Sequence, residues 1–106
     1  LVMPGQAGDR VATDVLIVAL GAVGFEAAVA MARRLRAAGL SVAMPLAERP
    51  MGAQLKRSEK VGARFALFVG KDEIERGRYG FKDLATGEQV ELPEEAIVAA
   101  SRGTQR

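Results

Sequence analysis

The sequence predicts an α/β fold of three layers, in which a mixed sheet of three parallel strands and an antiparallel edge hairpin carries three helices. Three observations lead there. Residues 14–21 (DVLIVALG) and 64–70 (RFALFVG) are continuous apolar runs ending in glycine, as expected of strands buried on both faces. Between them, apolar residues recur at helical spacing on two segments. After Gly77 the period falls to two, the mark of strands covered on one side only.

Taken in order, residues 1–13 (LVMPGQAGDRVAT) are glycine-rich and polar without a sustained period, and read as a lead-in to one domain over 14–106. The first helix follows over 22–38. Phe25, Ala28, Val29, Ala32 and Leu35 form its apolar stripe, and Arg33, Arg34 and Arg36 gather before Gly39, where the helix dipole favours cations. LSVAM (40–44) is a short second strand stopped by Pro45, and a loop with Glu48 and Arg49 leads to a helix of about three turns. On that helix (MGAQLKRSEKVG, 51–62) the inward stripe is Met51, Leu55, Ser58 and Gly62, with Lys56, Arg57 and Lys60 facing away. The third strand completes β-α-β-α-β, whose parallel crossovers are right-handed.

GKDEIERG (70–77) shows no period and reads as a charged loop. In 78–84, Tyr79 and Phe81 alternate with Arg78, Gly80 and Lys82; in 89–92, Val90 and Leu92 alternate with Gln89 and Glu91. ATGE (85–88) joins them as the turn of an edge hairpin. Pro93, Glu94 and Glu95 then open a last helix running through Ala100.

Composition narrows the chemistry. With 106 residues, 49% apolar and 26% charged, the chain is a single folding unit with a core of its own. It has no cysteine and no histidine. Disulfides, thiolate nucleophiles and cysteine-bound zinc are thereby excluded, as are imidazole acid–base catalysis and imidazole metal ligation. Ser41, Ser58 and Ser101 lie outside the G-x-S-x-G context that exposes a nucleophile. The net charge is +2, carried mostly by arginine, whose fork suits phosphate and carboxylate. No apolar run approaches the roughly 20 residues of a membrane span, and no signal peptide is visible, so a cytoplasmic location is expected.

Three places are candidates for a site. GAVG (21–24) opens the first helix, but a dinucleotide fingerprint needs a central glycine and an acidic residue after the second strand, and both are missing. Gly21 then serves a turn, and Gly24 a close approach of helix to sheet. The second place is the C-terminal edge of the parallel strands, where open α/β sheets bind ligands. It collects Glu48 and Arg49 with Lys71, Asp72, Glu73, Glu75 and Arg76. Mixed signs disfavour a phosphate cradle; they suit carboxylates that read base edges beside cations that hold a backbone, or an ordinary solvated loop. The third is the basic outer face of the second helix with Arg64, Arg78 and Lys82, a pattern that usually marks an ordinary solvated face.

The segment QLKRSEKVGARFALFVGKDEIERGRYGFKDLATGEQ (54–89) resembles the C-terminal anticodon-binding domain of histidyl-tRNA synthetases. Its most specific parts are QLK, GARFALFVGKDE and KDLATGEQ, and with DVLIVALG and RRLRAAGLSV the resemblance covers about residues 14–98. It implies a five-stranded mixed sheet with three helices and a role in gripping the anticodon arm of the histidine tRNA. By position, Lys71, Asp72, Glu73, Lys82, Asp83 and Gln89 would meet the anticodon bases, and Arg49, Lys56 and Arg78 the phosphates. The synthetase catalytic core has no counterpart here, so no catalytic residue, cofactor or metal is implied. The implied partners are the tRNA and the catalytic domain of a parent synthetase, with the chain either an excised domain or a freestanding relative, and monomeric by itself. The alternative is a protein-interaction module on the same fold, such as the synthetase-like regulatory subunit of ATP phosphoribosyltransferase. A flavodoxin-like nucleotide enzyme is disfavoured by the missing fingerprint.

Overall fold

The computed structural model describes residues 13–44 and 50–103; the lead-in over 1–12 and the loop holding Glu48 and Arg49 lie outside them. Strand β1 (Thr13–Ala19) runs into helix α1 (Gly21–Ala37), then strand β2 (Val42–Ala43), helix α2 (Met51–Val61) and strand β3 (Ala63–Val69). Helix α3 (Lys71–Arg76), strands β4 (Tyr79–Asp83) and β5 (Gln89–Leu92), and helix α4 (Glu94–Gly103) follow. The five strands form one sheet in the order β2-β1-β3-β4-β5. β1 is parallel to β2 and β3, and the β3–β4 and β4–β5 pairs are antiparallel.

The expected mixed sheet is therefore present, with four helices among the described residues instead of three. The additional one is α3, the segment read as a loop. Six residues are too few to show a period, but Asp72 and Glu73 sit in its first turn, Arg76 in its last, and Gly77 stops it at φ 70°.

The core has two halves. On one face α1 and α4 bury Val15, Ile17, Leu67 and Val69 against Met31, Leu35 and Ile97, and Phe65 stacks on Phe81 with ring centroids 4.7 Å apart. On the other, α2 covers Leu16, Val18, Ala66 and Phe68 through Leu55. Helix α1 turns Met31 inward and leaves Val29 40% exposed, so Val29 is outside the stripe expected for it.

Helix α2 departs further from the apolar pattern. Its buried residues are Gln54 and Ser58, while Met51 is 44% exposed and Gly62 forms the left-handed stop at φ 66°. The Gln54 carboxamide lies where β2 has already ended: Oε1 accepts from the Ala19 amide and Nε2 donates to the Ala19 carbonyl, both at 2.8 Å. Leu20 donates to Val69 of β3, so Ala19, one residue earlier, faces the opposite edge. The side chain thus continues the ladder that the two-residue β2 leaves unfinished. Arg57, expected to point away, reaches back to donate to the Met44 carbonyl at 2.9 Å, and Arg36 donates to the Val42 carbonyl at 2.7 Å.

At the far edge Arg34 and Glu94 form a two-bond ion pair that joins α1 to α4. Beside it stands Tyr79, the chain's single tyrosine. Burial, and then the Glu94 carboxylate, raise its phenol above the ordinary 10.0, against an opposing effect of Arg34. Because the chain has no tryptophan, an ultraviolet absorbance titration reports this phenol cleanly. The folded protein is expected to titrate above pH 10 and the unfolded chain at about 10. The raised value favours the fold below the unfolded pKa, and that contribution is lost as pH rises through the folded one. A folded midpoint at or below 10 would contradict this environment.

Candidate functional site

Strand register decides which charged residues share a surface. Ala66 pairs with Lys82 and Phe68 with Gly80, and these pair in turn with Gln89 and Glu91. Paired residues point the same way, so Phe68, Gly80, Lys82, Gln89 and Glu91 lie on the face that carries α2. Helix α2 packs mainly on β1 and β3, which leaves most of β5 exposed and β4 only partly covered beside it. Lys56 and Lys60 are exposed on α2. Between the end of α2 and the hairpin turn runs a cleft of about 550 Å³, lined by Ser58, Glu59, Arg64, Asp83, Leu84 and Ala85.

The second cluster stands at the C-terminal edge of β3. Lys71 and Asp72 are exposed in the first turn of α3, whereas Glu73 is turned down over Gly70 and lies near Arg76, at 4.0 Å. Arg78, just ahead of β4, is exposed and donates to the Glu91 carbonyl at 3.2 Å, while Arg76 holds the Glu91 carboxylate at 3.0 Å. From Arg78 to Lys82 is about 13 Å along the strand. The structure thus gathers Lys71, Asp72, Glu73 and Arg78 at the sheet edge where β3 ends and β4 begins, with α3 beside α1. Lys82 and Gln89 lie along the half-open face, with Lys56 on the neighbouring helix. Arg49 lies outside the described residues.

Asp83 has a different occupation. Its Oδ1 accepts from the amides of Ala85 at 2.9 Å and Thr86 at 3.3 Å, and its carbonyl accepts from Gly87 at 2.7 Å. With Gly87 at φ 84°, these bonds build the hairpin turn. Part of the sequence signal at KDLATGEQ is therefore turn chemistry. Two residues that shape the surface escaped the sequence reading of the site. Gln54 ties α2 to the sheet from a position where an apolar residue is expected, and Gly80 opens the sheet face next to Gln89. The motif QLK contains the first, but nothing in a period marks a glutamine as buried.

Chemically the surface offers cations, carboxylates and amides on a partly open sheet. Among the described residues no group of three or more acidic side chains is placed to hold a metal, and no helix is long and apolar enough to cross a membrane.

Comparison with known proteins adds a second line of evidence. The family described as anticodon binding domain matches residues 14–102. Histidine–tRNA ligase of Solibacter usitatus is 40% identical over 94 residues, 87% of this chain and 22% of the relative. That of Fervidobacterium nodosum is 38% identical over 93 residues, 86% of this chain and 22% of the relative. Histidyl-tRNA synthetase from Nostoc sp. PCC 7120 superposes with a TM-score of 0.82 at 27% identity, over 91% of this chain and 23% of that one. The apo enzyme of S. aureus gives 0.81 at 25% identity, over 90% of this chain and 28% of that one. The chain spans about a fifth of the length of the curated relatives it matches.

Proposed function

The chain belongs to the anticodon binding domain family and is homologous to the C-terminal region of histidine–tRNA ligases, and on that premise we propose that it grips the anticodon arm of a histidine tRNA. Residues 14–106 form the module, and its work is affinity and anticodon discrimination, with aminoacylation left to the catalytic domain of a parent synthetase. A role in translation puts it in the cytoplasm. The observation that carries the reading is the half-open sheet face beside α2, along which Lys82 and Gln89 lie, bordered at the end of β3 by the exposed Lys71 and Asp72.

The roles divide by chemistry. Lys56, Lys71 and Arg78 are exposed cations at the borders of the face and hold phosphates, as Arg49 does by its sequence position. Asp72 and Gln89 carry acceptors, and in Gln89 also donors, suited to the edges of unstacked bases. Lys82 lies between them. Glu73 and Asp83 act nearer the backbone, Glu73 by packing over Gly70 and Asp83 by holding the turn that presents Gln89.

The test is a titration of the full chain against a histidine-tRNA anticodon stem-loop and one with a changed anticodon, at two salt concentrations. The histidine loop is expected to bind more tightly at both. Lys56→Ala or Lys71→Ala weakens both loops alike and lowers the salt slope by about 0.7 for each phosphate that is no longer neutralised. Asp72→Ala instead narrows the difference between the loops, by about tenfold for one good hydrogen-bonded base edge. Equal affinity of the unmodified chain for the two loops would count against a base-reading module and favour a protein-interaction role.

A further inference from the structure

Gly80 sits in the middle of β4, where glycine weakens a strand because it packs nothing and has most freedom to lose. Its backbone does not require glycine, since it is not among the residues at positive φ. What it supplies is space. A Cβ there would stand 3.0 Å from Gln89 Nε2, 3.2 Å from Phe68 Cδ2 and 3.6 Å from Phe68 Cβ. The Gln89 carboxamide therefore lies diagonally across β4, over the glycine, in the space that the buried Phe68 ring also borders. Among the described residues this carboxamide has no hydrogen-bond partner. The carboxylate of its same-face neighbour Glu91 is held by Arg76.

We infer that Gly80 is a positioning residue for RNA specificity: by leaving room it seats the Gln89 carboxamide over β4, where its adjacent donor and acceptor read the edge of one unstacked nucleobase. This rests on the RNA-binding reading above. Gln89 is exposed and its amide is unpaired, so a base can reach it, and the space over Gly80 is where the carboxamide comes to lie. The base it suits presents a donor next to an acceptor, the pattern that a glutamine meets with two parallel hydrogen bonds.

The experiment measures binding of the full chain to the histidine anticodon stem-loop and to loops changed at each anticodon position, for the unmodified protein, Gly80→Ala, Gln89→Ala, Gln89→Asn and the double variant Gly80→Ala/Gln89→Ala. Gln89→Ala is expected to lose on the order of tenfold discrimination at one anticodon position. Gly80→Ala loses it at that same position with an unchanged salt slope, and the double variant is no worse than either single one, as required if the glycine acts through the glutamine. Gln89→Asn, which keeps the amide and shortens its reach, behaves like Gln89→Ala. If Gly80→Ala does not fold, the asparagine variant decides: full discrimination with asparagine refutes the seating argument, and its loss upholds it. If the unmodified chain discriminates and Gly80→Ala keeps that discrimination, the inference fails while the RNA-binding reading stands; if the unmodified chain shows none, both fail.

Discussion

Gln54→Ala is expected to destabilise the fold by about 3 kcal/mol, the sum of two orphaned backbone groups and a small void. Gln54 is 3% exposed, and its amide satisfies both the donor and the acceptor of Ala19. Removing it leaves an N–H and a C=O at the buried end of β1 without the partners that β2, two residues long, is too short to supply. Urea unfolding should show a lower midpoint at unchanged m, because the same surface is exposed on unfolding. Gln54→Glu separates the two bonds: it can still accept from the Ala19 amide, but an ionised carboxylate faces the Ala19 carbonyl as a second acceptor. It should therefore also destabilise, and should recover partly under acid conditions that protonate it. A loss below about 1 kcal/mol for the alanine variant would mean that water or a neighbouring group takes over these bonds.

Gly24→Ala is expected to cost about 2 kcal/mol, even though alanine is the better helix former by about 1 kcal/mol. A Cβ at Gly24 would fall closer to the Val69 carbonyl oxygen than non-bonded atoms can stand, and at 3.1 Å from the Gly70 Cα. Both obstacles are backbone, so relief requires α1 to lift from the end of β3. Gly52 on α2 provides the matched control, because a Cβ there meets nothing within 4 Å. Gly52→Ala should be neutral or stabilising by up to about 1 kcal/mol. Thermal unfolding of the two variants side by side checks the account, and equal behaviour would overturn it.

The sequence carried most of the fold and less of the site. β1 and β3 are legible because burial on both faces leaves no room for polar residues, and the hairpin because Tyr79 and Phe81 keep period two up to a glycine-containing turn. Gly24 could be read as a packing glycine from its place just after a buried strand. Helix α3 was not legible, since six residues, five of them charged, look alike as a loop and as one and a half turns of helix. The inward face of α2 was misjudged at Met51 because an apolar residue is the default for burial, whereas the strand end it meets offers two unpaired polar groups that a carboxamide can satisfy. The site depended on register. That Lys82, Gln89 and Gly80 share a face with α2, and that Asp83 spends an oxygen on the turn, follows from pairings fixed by tertiary structure.

At its β2 border the sheet offers little to another chain that would extend it. On β2 the outward carbonyls of Val42 and Met44 already receive guanidinium donors from Arg36 and Arg57, and the next rung is filled by Gln54. An arriving strand would have to displace charge-assisted bonds before making a first one of its own. A two-residue strand sealed in this way is a poor template for aggregation or strand exchange. The brevity of β2, which looks like a defect in the sheet, thus protects the solubility of the domain.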